Sequence, residues 1–404
     1  MWLLWLSVLI IVVFLLMWTL SKIKLNPQNR YILITGCDSG FGNLLARSLD
    51  KKGCYIFATC LTSAGAESLT KVSSARLHAM VMDVSNSESI QVAFEVVDKV
   101  LVDKPGLWGL VNNAGISGNG GYYEWSTRDE FRRVLEINLL GPIEVTNVFT
   151  PLLRKAKGRI VNMSSGITLA PIPSGGYEMS KCGLEAFSDC LRQQMRHSSV
   201  SVHIIQPAFF ATNITNAKNI GDKLEISWNR MTQSQRDFYG RNCIEELKGV
   251  AKEAEEGSDP RLHFVTDAIE HALFAWYPWS RYPAAFDSVH RPSLWEILRI
   301  YGFPPKIINI ISSSYRDTTC AVKAEGNLSS WFKIITGVRQ GDIWSPLLFD
   351  LAIDFTMKRA VDDNNRGLIL LPRRSSRDPE EKLADLDYAD DITLFEETVL
   401  LPVN

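Results

Sequence analysis

Tyr177 and Lys181 stand four residues apart in "GGYEMSKCGLEAFSDCLRQQM", a stretch with helical apolar spacing, so both fall on one helix face. A lysine charge beside a phenol favours the phenolate. It is expected to lower the tyrosine from about 10 and make it a general acid/base near neutral pH. Ser165 closes the preceding apolar run "GRIVNMSS" and can donate a hydrogen bond to a reacting oxygen, a role for which Ser164 competes. Upstream, Gly36, Gly40 and Gly42 follow the apolar run Tyr31–Thr35. Glycines there let the backbone approach a pyrophosphate, and a helix opening at about Phe41 offers it free N–H groups. Singly these signals are weak. Many tight turns carry glycine, and Tyr-x-x-x-Lys alone is more often an ordinary surface helix.

Such residues need strand ends to hold them, and the chain supplies a regular series. "GCYIFATC" is strand-like and "SAGAESLTKV" helical; "RLHAMVMDV" is a strand ending at Asp83; "SESIQVAFEVVDKVL" is a helix. "LWGLVNNAG" is a strand closing on Asn112, Asn113, Ala114 and Gly115. This alternation predicts an α/β fold with a Rossmann-type, doubly wound parallel sheet and helices on both faces. Ligands then lie at the carboxyl ends of the strands, where Gly36, Cys60, Asp83 and Asn113 fall.

T-G-x-x-x-G-x-G over Thr35–Gly42, N-N-A-G over Asn112–Gly115 and Y-x-x-x-K over Tyr177–Lys181 come in one order and spacing. With them the chain resembles the short-chain dehydrogenase/reductase family over about residues 30–284. "ITGCDSGFGNLLARSLD", "PGLWGLVNNAGI" and "GLEAFSDCLR" look like its membrane-bound retinol and hydroxysteroid dehydrogenases. The resemblance implies Tyr177 as catalytic acid/base, Lys181 tuning it and binding the nicotinamide ribose, and Asn138 in "EINLLG" completing a proton relay. Ser165 would orient the substrate oxygen; most of the family spaces this serine to Ser164, the closer branch to Ser165. Gly36, Ser39, Gly40, Phe41, Gly42, Asp83, Asn112, Ala114, Gly115 and Thr212 would join Tyr177 and Lys181 in holding the dinucleotide. Asp83 would meet the adenine and Thr212 the carboxamide. The family's Pro-Gly is Pro207-Ala208 here; alanine resists positive φ, so a small shift of the nicotinamide loop is expected.

The implied substrate is a small lipophilic alcohol, retinol or a hydroxysteroid. Residues 53–70 contain no Lys or Arg to meet a 2′-phosphate, and the strand end at Cys60 lacks the acid that would mark NAD outright. The missing cation favours NAD, with NADP still open. No metal is expected in this half. The sequence carries no signal for oligomeric state.

Residues 1–20, "MWLLWLSVLIIVVFLLMWTL", contain no charged side chain and match the roughly 20 residues of a bilayer-spanning helix. Trp2, Trp5 and Trp18 stand near the ends, and Lys22, Lys24 and Arg30 follow. The stretch is long and lacks a small-residue cleavage site, so an uncleaved single-pass anchor over 1–21 is expected rather than a signal peptide. The resemblance implies the endoplasmic reticulum membrane. The 43 Lys and Arg against 45 Asp and Glu give a net charge of -2, which excludes the basic footprint of a nucleic-acid binder. Seven scattered cysteines without C-x-x-C indicate free thiols rather than a disulfide framework or a zinc site.

After a dehydrogenase domain over 30–283 the pattern changes without a Gly/Ser linker. Asp390 and Asp391 lie between "LDY" and "ITLF", as at a hairpin tip, where paired carboxylates suit a divalent metal or simply a solvated turn. Y-A-D-D over Tyr388–Asp391 and G-V-R-Q-G-x-x-x-S-P-L-L-F over Gly337–Phe349 resemble the palm of a non-long-terminal-repeat retrotransposon reverse transcriptase. That resemblance covers 284–404 and begins inside the first palm motif, as Ala285, Phe286 and Asp287. The motif's metal-binding carboxylate would fall near Arg281, a cation. The segment is therefore expected to be an incomplete α+β fragment without RNA-directed DNA polymerase activity, in a chimeric fusion.

Overall fold

The computed structural model describes residues 19–168 and 175–284, and beyond them only short stretches between 295 and 333. The apolar N-terminal stretch over 1–18 and the segments carrying Asp287, Gly337–Phe349 and Tyr388–Asp391 lie outside the described residues. Among the described residues, no helix is long and apolar enough to cross a membrane.

Seven strands form the sheet: β1 (Tyr31–Ile34), β2 (Tyr55–Cys60), β3 (Leu77–Val81), β4 (Gly109–Asn112), β5 (Arg159–Met163), β6 (Ser201–Pro207) and β7 (Arg281–Ala284). Their order is β3-β2-β1-β4-β5-β6-β7, and every pairing is parallel. A sheet covered on both faces wants continuous apolar strands, and β1 reads "YILI" with all four residues buried. Its side chains alternate between two cores. Ile32 and Ile34 pack on one face with Leu45, Leu49, Ile269 and Leu273; Leu33 packs on the other with Ile90, Val97, Phe149 and Leu191.

The first face is covered by α1 (Gly40–Lys51), α2 (Ser63–Lys71) and, at the far end of the chain order, the helix over His263–Phe274. The second is covered by α3 (Ser87–Leu101), α5 (Gly141–Ala156) and α6 (Gly176–Met195), with the short α4 (Arg128–Leu135) preceding α5. α7 (Ala217–Arg230), α8 (Gln233–Tyr239) and α9 (Arg241–Glu256) follow β6, before α10 (His263–Phe274) returns to the sheet. The chain leaves β1 towards β3 and returns to β4 on β1's other side. This reversal is the switch point at which open α/β sheets bind ligands.

β7 is the edge of this sheet, in register with β6 from Ile204↔Arg281 to Pro207↔Ala284. Arg281 pairs with Glu185, and with Asp189 at 2.6 Å, both on α6. The segment entering the domain is fastened near this edge. Leu25 N donates to Phe274 O at 2.6 Å, Trp276 N to Ile23 O at 2.7 Å, and His271 Nε2 lies 3.0 Å from Ser21 O.

Candidate active site

β1 stops where the turn to α1 needs a backbone that only glycine tolerates. Gly36 has φ of 70°, and a Cβ there would lie 2.7 Å from Ala114 Cα. Asn113 stitches this turn to the end of β4: its Nδ2 donates to Thr35 O at 2.8 Å and Gly36 O at 3.0 Å. Thr35 Oγ1 accepts the Asn113 and Ala114 N–H groups in return, each at 3.0 Å. The α1 N-cap, Ser39, makes no capping bond through its side chain, so the first-turn N–H groups stay available to an anion. The turn thus has both things a pyrophosphate needs, close backbone approach and free donors.

A cavity of about 970 Å³ runs from this turn across the carboxyl ends of the strands. At one end it is lined by Asp38, Leu61, Thr62 and Asp83. Gly36, Ser39, Gly40, Phe41, Ala114, Gly115 and Thr212 follow, then Ser165, Tyr177 and Lys181. Most of the residues assigned from sequence therefore meet in one place. Two do not face the cavity, and one more meets it only indirectly. Asn112 is 2% exposed and gives its Nδ2 to Asn162 Oδ1 at 2.8 Å and Thr146 Oγ1 at 3.0 Å. Strand alternation turns it into the core and its successor Asn113 towards the ligand side. Gly42 is a packing glycine: a Cβ there would lie 2.5 Å from both Asn113 Nδ2 and Gly36 O. Asn138 is fully buried on a π-turn over Glu136–Leu140 that breaks the helical ladder. Its Oδ1 accepts from Ile116 N at 2.9 Å, and its Nδ2 donates to Ile116 O at 2.8 Å and Ser180 Oγ at 3.0 Å. The side chain clamps the loop after β4 to α6.

Tyr177 and Lys181 sit on the first turns of α6, which opens behind Gly175 at φ 62°. Ser165, at the end of β5, hydrogen-bonds the Tyr177 phenol. Ser164 turns inward to Glu185, whose Oε1 also accepts from Thr168 Oγ1 at 2.8 Å and Gln206 Nε2 at 3.0 Å. The two serines have thus divided the work, with Ser165 at the phenol. Lys181 is 4% exposed; its Nζ donates to Met163 O at 2.7 Å and lies 5.6 Å from the Tyr177 ring centroid.

The electrostatics differ from the sequence expectation. Burial pushes the Tyr177 phenol above its ordinary value, and the hydrogen bond from Ser165 pulls part of the way back. Burial lowers Lys181 to about 8, against the pull of Glu185. Lys181 gives one of its three donors to Met163 O, and the tyrosine's position is set by burial and by Ser165. The pair is instead a protonated phenol over a cation that burial makes easier to discharge.

Several contributors escaped the sequence reading. Asp38, inside the glycine turn, accepts from Leu61 N at 2.7 Å, Thr62 N at 3.1 Å and Thr62 Oγ1 at 2.8 Å, which fixes a carboxylate beside the end of β2. Its place one residue before Ser39 was the available signal. Glu185 lies one turn beyond Lys181, the spacing that had already paired Lys181 with Tyr177. Asp83 Oδ1 accepts from Ser85 N at 2.9 Å and Ser85 Oγ at 2.7 Å, bracing the turn after β3. Ala208 avoids positive φ, as alanine should. Among the described residues, no group of His, Cys, Asp and Glu could hold a metal ion.

The model of the short chain dehydrogenase family matches residues 30–223. Retinol dehydrogenase 16 of Rattus norvegicus is 43% identical over 267 residues, 66% of this chain and 84% of the rat protein. 17-beta-hydroxysteroid dehydrogenase type 6 of Homo sapiens is 42% identical over 261 residues, 65% of this chain and 82% of the human protein. Among solved structures, a short chain dehydrogenase/reductase from Burkholderia phymatum in complex with NAD superposes with a TM-score of 0.53 at 21% identity. It covers 74% of this chain and 99% of its own, a likeness of fold.

Proposed function

The chain belongs to the short-chain dehydrogenase family, and we propose that it is a membrane-anchored oxidoreductase that interconverts a lipophilic alcohol, retinol or a hydroxysteroid, with its carbonyl, using NAD. The observation that carries this reading is the Ser165–Tyr177 hydrogen bond above buried Lys181, in a cavity continuous with the glycine turn. The dinucleotide's phosphates fit the Gly36–Gly40 turn and the open N-terminus of α1, with Thr212, Lys181 and Tyr177 towards the nicotinamide end.

When bound, the nicotinamide takes or gives the carbinol hydride. Tyr177 moves the proton: it receives that of the substrate hydroxyl during oxidation and returns it during reduction. Ser165 donates to the reacting oxygen and holds it against the phenol. Lys181 supplies positive charge beneath the ring while protonated. Because burial raises Tyr177, its basic form arises at alkaline pH, and the neutral phenol suits carbonyl reduction near pH 7.

Asp38 supports NAD over NADP. A carboxylate beside Leu61 and Thr62 can accept from ribose hydroxyls and repels a 2′-phosphate. Among the described residues lining the cavity, the Lys and Arg side chains are Lys181 and Lys223, neither at that end. The uncharged stretch over residues 1–20 supports the membrane anchor.

Replacing Tyr177 by Phe is expected to lower turnover by roughly 10²–10⁴-fold while cofactor still binds. NADH formation by membranes carrying the full chain, with retinol and with a 3α-hydroxysteroid, measures the first; cofactor fluorescence titration measures the second. Unchanged turnover in the variant would overturn this mechanism.

A further inference from the structure

Beyond the catalytic pair the cavity is walled by α7 and α9, through Ile220, Leu224, Leu247, Val250 and Ala251. One ammonium stands in this otherwise apolar wall. Lys223 is half-buried, and its Nζ donates to Ser117 Oγ at 3.1 Å. Its neighbours Lys218 and Lys248 each face a carboxylate, Asp222 and Glu225. Lys223 faces none among the described residues; burial and the charge of Arg133 both push its pKa down. An ammonium carries three donors, and donors left without acceptors in an apolar wall are costly. Ser117 Oγ accepts from the lysine and donates its own proton to Gly118 O at 3.4 Å, so it braces the ammonium. With one of its three N–H donors on Ser117, the ammonium keeps two for a ligand in the cavity.

The position matters as much as the chemistry. A Cβ on Gly115 would lie 3.6 Å from Lys181 Nζ, which places that residue at the catalytic centre. Ser117 is two residues further along, up to about 7 Å of chain. The Lys223–Ser117 pair lines the same cavity as Tyr177 and Lys181, on the loop after β4 and on α7.

We infer that Lys223, braced by Ser117, forms a subsite for a second, neutral oxygen of the substrate, a carbonyl or hydroxyl remote from the reacting carbinol. This rests on the dehydrogenase reading of the same cavity, and it selects within it: a hydroxysteroid oxygenated at both ends satisfies the ammonium, whereas retinol, with one oxygen, leaves it unmet. The lipophilic body between the two oxygens lies against the apolar wall.

The test uses the full chain in membranes or detergent and two ligands, a 3α-hydroxysteroid bearing a 17-carbonyl and the same steroid without that oxygen. Binding is followed by tryptophan fluorescence, and kcat/KM by NADH formation. The native chain is expected to favour the oxygenated steroid by roughly ten- to a hundredfold, the range for one hydrogen bond to a charged group. Lys223→Met, which keeps the apolar stem, should bring the oxygenated steroid down to its deoxy counterpart and leave the latter within about twofold; Lys223→Arg should keep the preference. Equal affinities in the native chain, or equal losses for both steroids in Lys223→Met, would overturn the subsite. Binding that discriminates without any NADH formation would uphold the subsite and refute the proposed reaction.

Discussion

The two ends of the cavity are built differently. The end that takes the dinucleotide is made of strand ends and held by backbone. Asn113 bonds main-chain carbonyls, Thr35 accepts main-chain N–H groups, and Gly36 presses on Ala114. The other end is made of helices held to one another by side chains. Trp125, Leu224, Trp228, Met231 and Ile244 form a core of their own. Tyr122 stacks on Tyr239 at 5.3 Å, and Trp125 meets the edge of Trp228 at 5.8 Å. Ion pairs tie the outside: Arg230 to Glu130 at 2.7 Å and Arg241 to Glu225 at 2.6 Å. A site fixed by backbone is insensitive to most side-chain changes and preserves one chemistry. A site fixed by side chains can be reshaped one residue at a time.

This contrast can be broken at either end. The largest effect is expected from Gly36→Ala. The new Cβ meets Ala114 backbone at 2.7 Å, in a left-handed conformation that alanine resists, so cofactor affinity should fall at least about a hundredfold. Fluorescence titration with NADH checks this; a change under about threefold would show that the turn is not backbone-limited. Trp228→Ala acts at the other end. Trp228 is 6% exposed, and its loss should cost about 3 kcal/mol locally, raising KM for the alcohol while cofactor affinity holds. Steady-state kinetics with the two substrates varied separately would expose any equal effect on both, which would dissolve the distinction.

The smallest effect is one of pH, and it separates the ends by their charges. His203 is lowered to about 3 and His271 to about 4, both chiefly by burial at the sheet edge. Each is held neutral in the fold and takes up a proton on unfolding below its ordinary 6.5. Stability from these two is complete above pH 6.5 and is lost as pH falls towards their folded values. Glu225 on α7 is lowered from 4.5 by Lys248 and Arg241, so its contribution disappears only below that value. Between pH 6.5 and 4.5 the sheet edge should therefore loosen first. Hydrogen exchange at pH 7 and pH 5 measures this; protection lost first from α7–α9 would contradict it.

What was legible in the sequence follows the same divide. The glycine turn, the strand ends and the Tyr177–Lys181 spacing are local patterns, and local patterns specify local backbone. Contributions that depend on which way a side chain turns were not legible. Asn112 and Asn113 are neighbours of one type, and only strand alternation sends the first to the core. Ser164 and Ser165 were separable by the spacing of a family branch, whereas their partners, Glu185 and Tyr177, come from tertiary structure. The direction of the Tyr177 shift depends on burial, which sequence spacing does not carry. Lys223 reads as one more surface lysine of an amphipathic helix until the loop carrying Ser117 is folded against it.

Arg281 gives the seventh strand a meaning beyond its four residues. Through Glu185 it reaches the hydroxyls of Ser164 and Thr168, which flank Ser165, and through Asp189 it grips the same helix that carries the catalytic pair. The position that a polymerase motif would have given to a metal-binding acid is thus occupied by a cation paired with two acids of α6. For protein engineering this sets the suture line. A graft joined after Ala284 leaves the electrostatic wiring of the catalytic helix whole, whereas one joined four residues earlier would sever it.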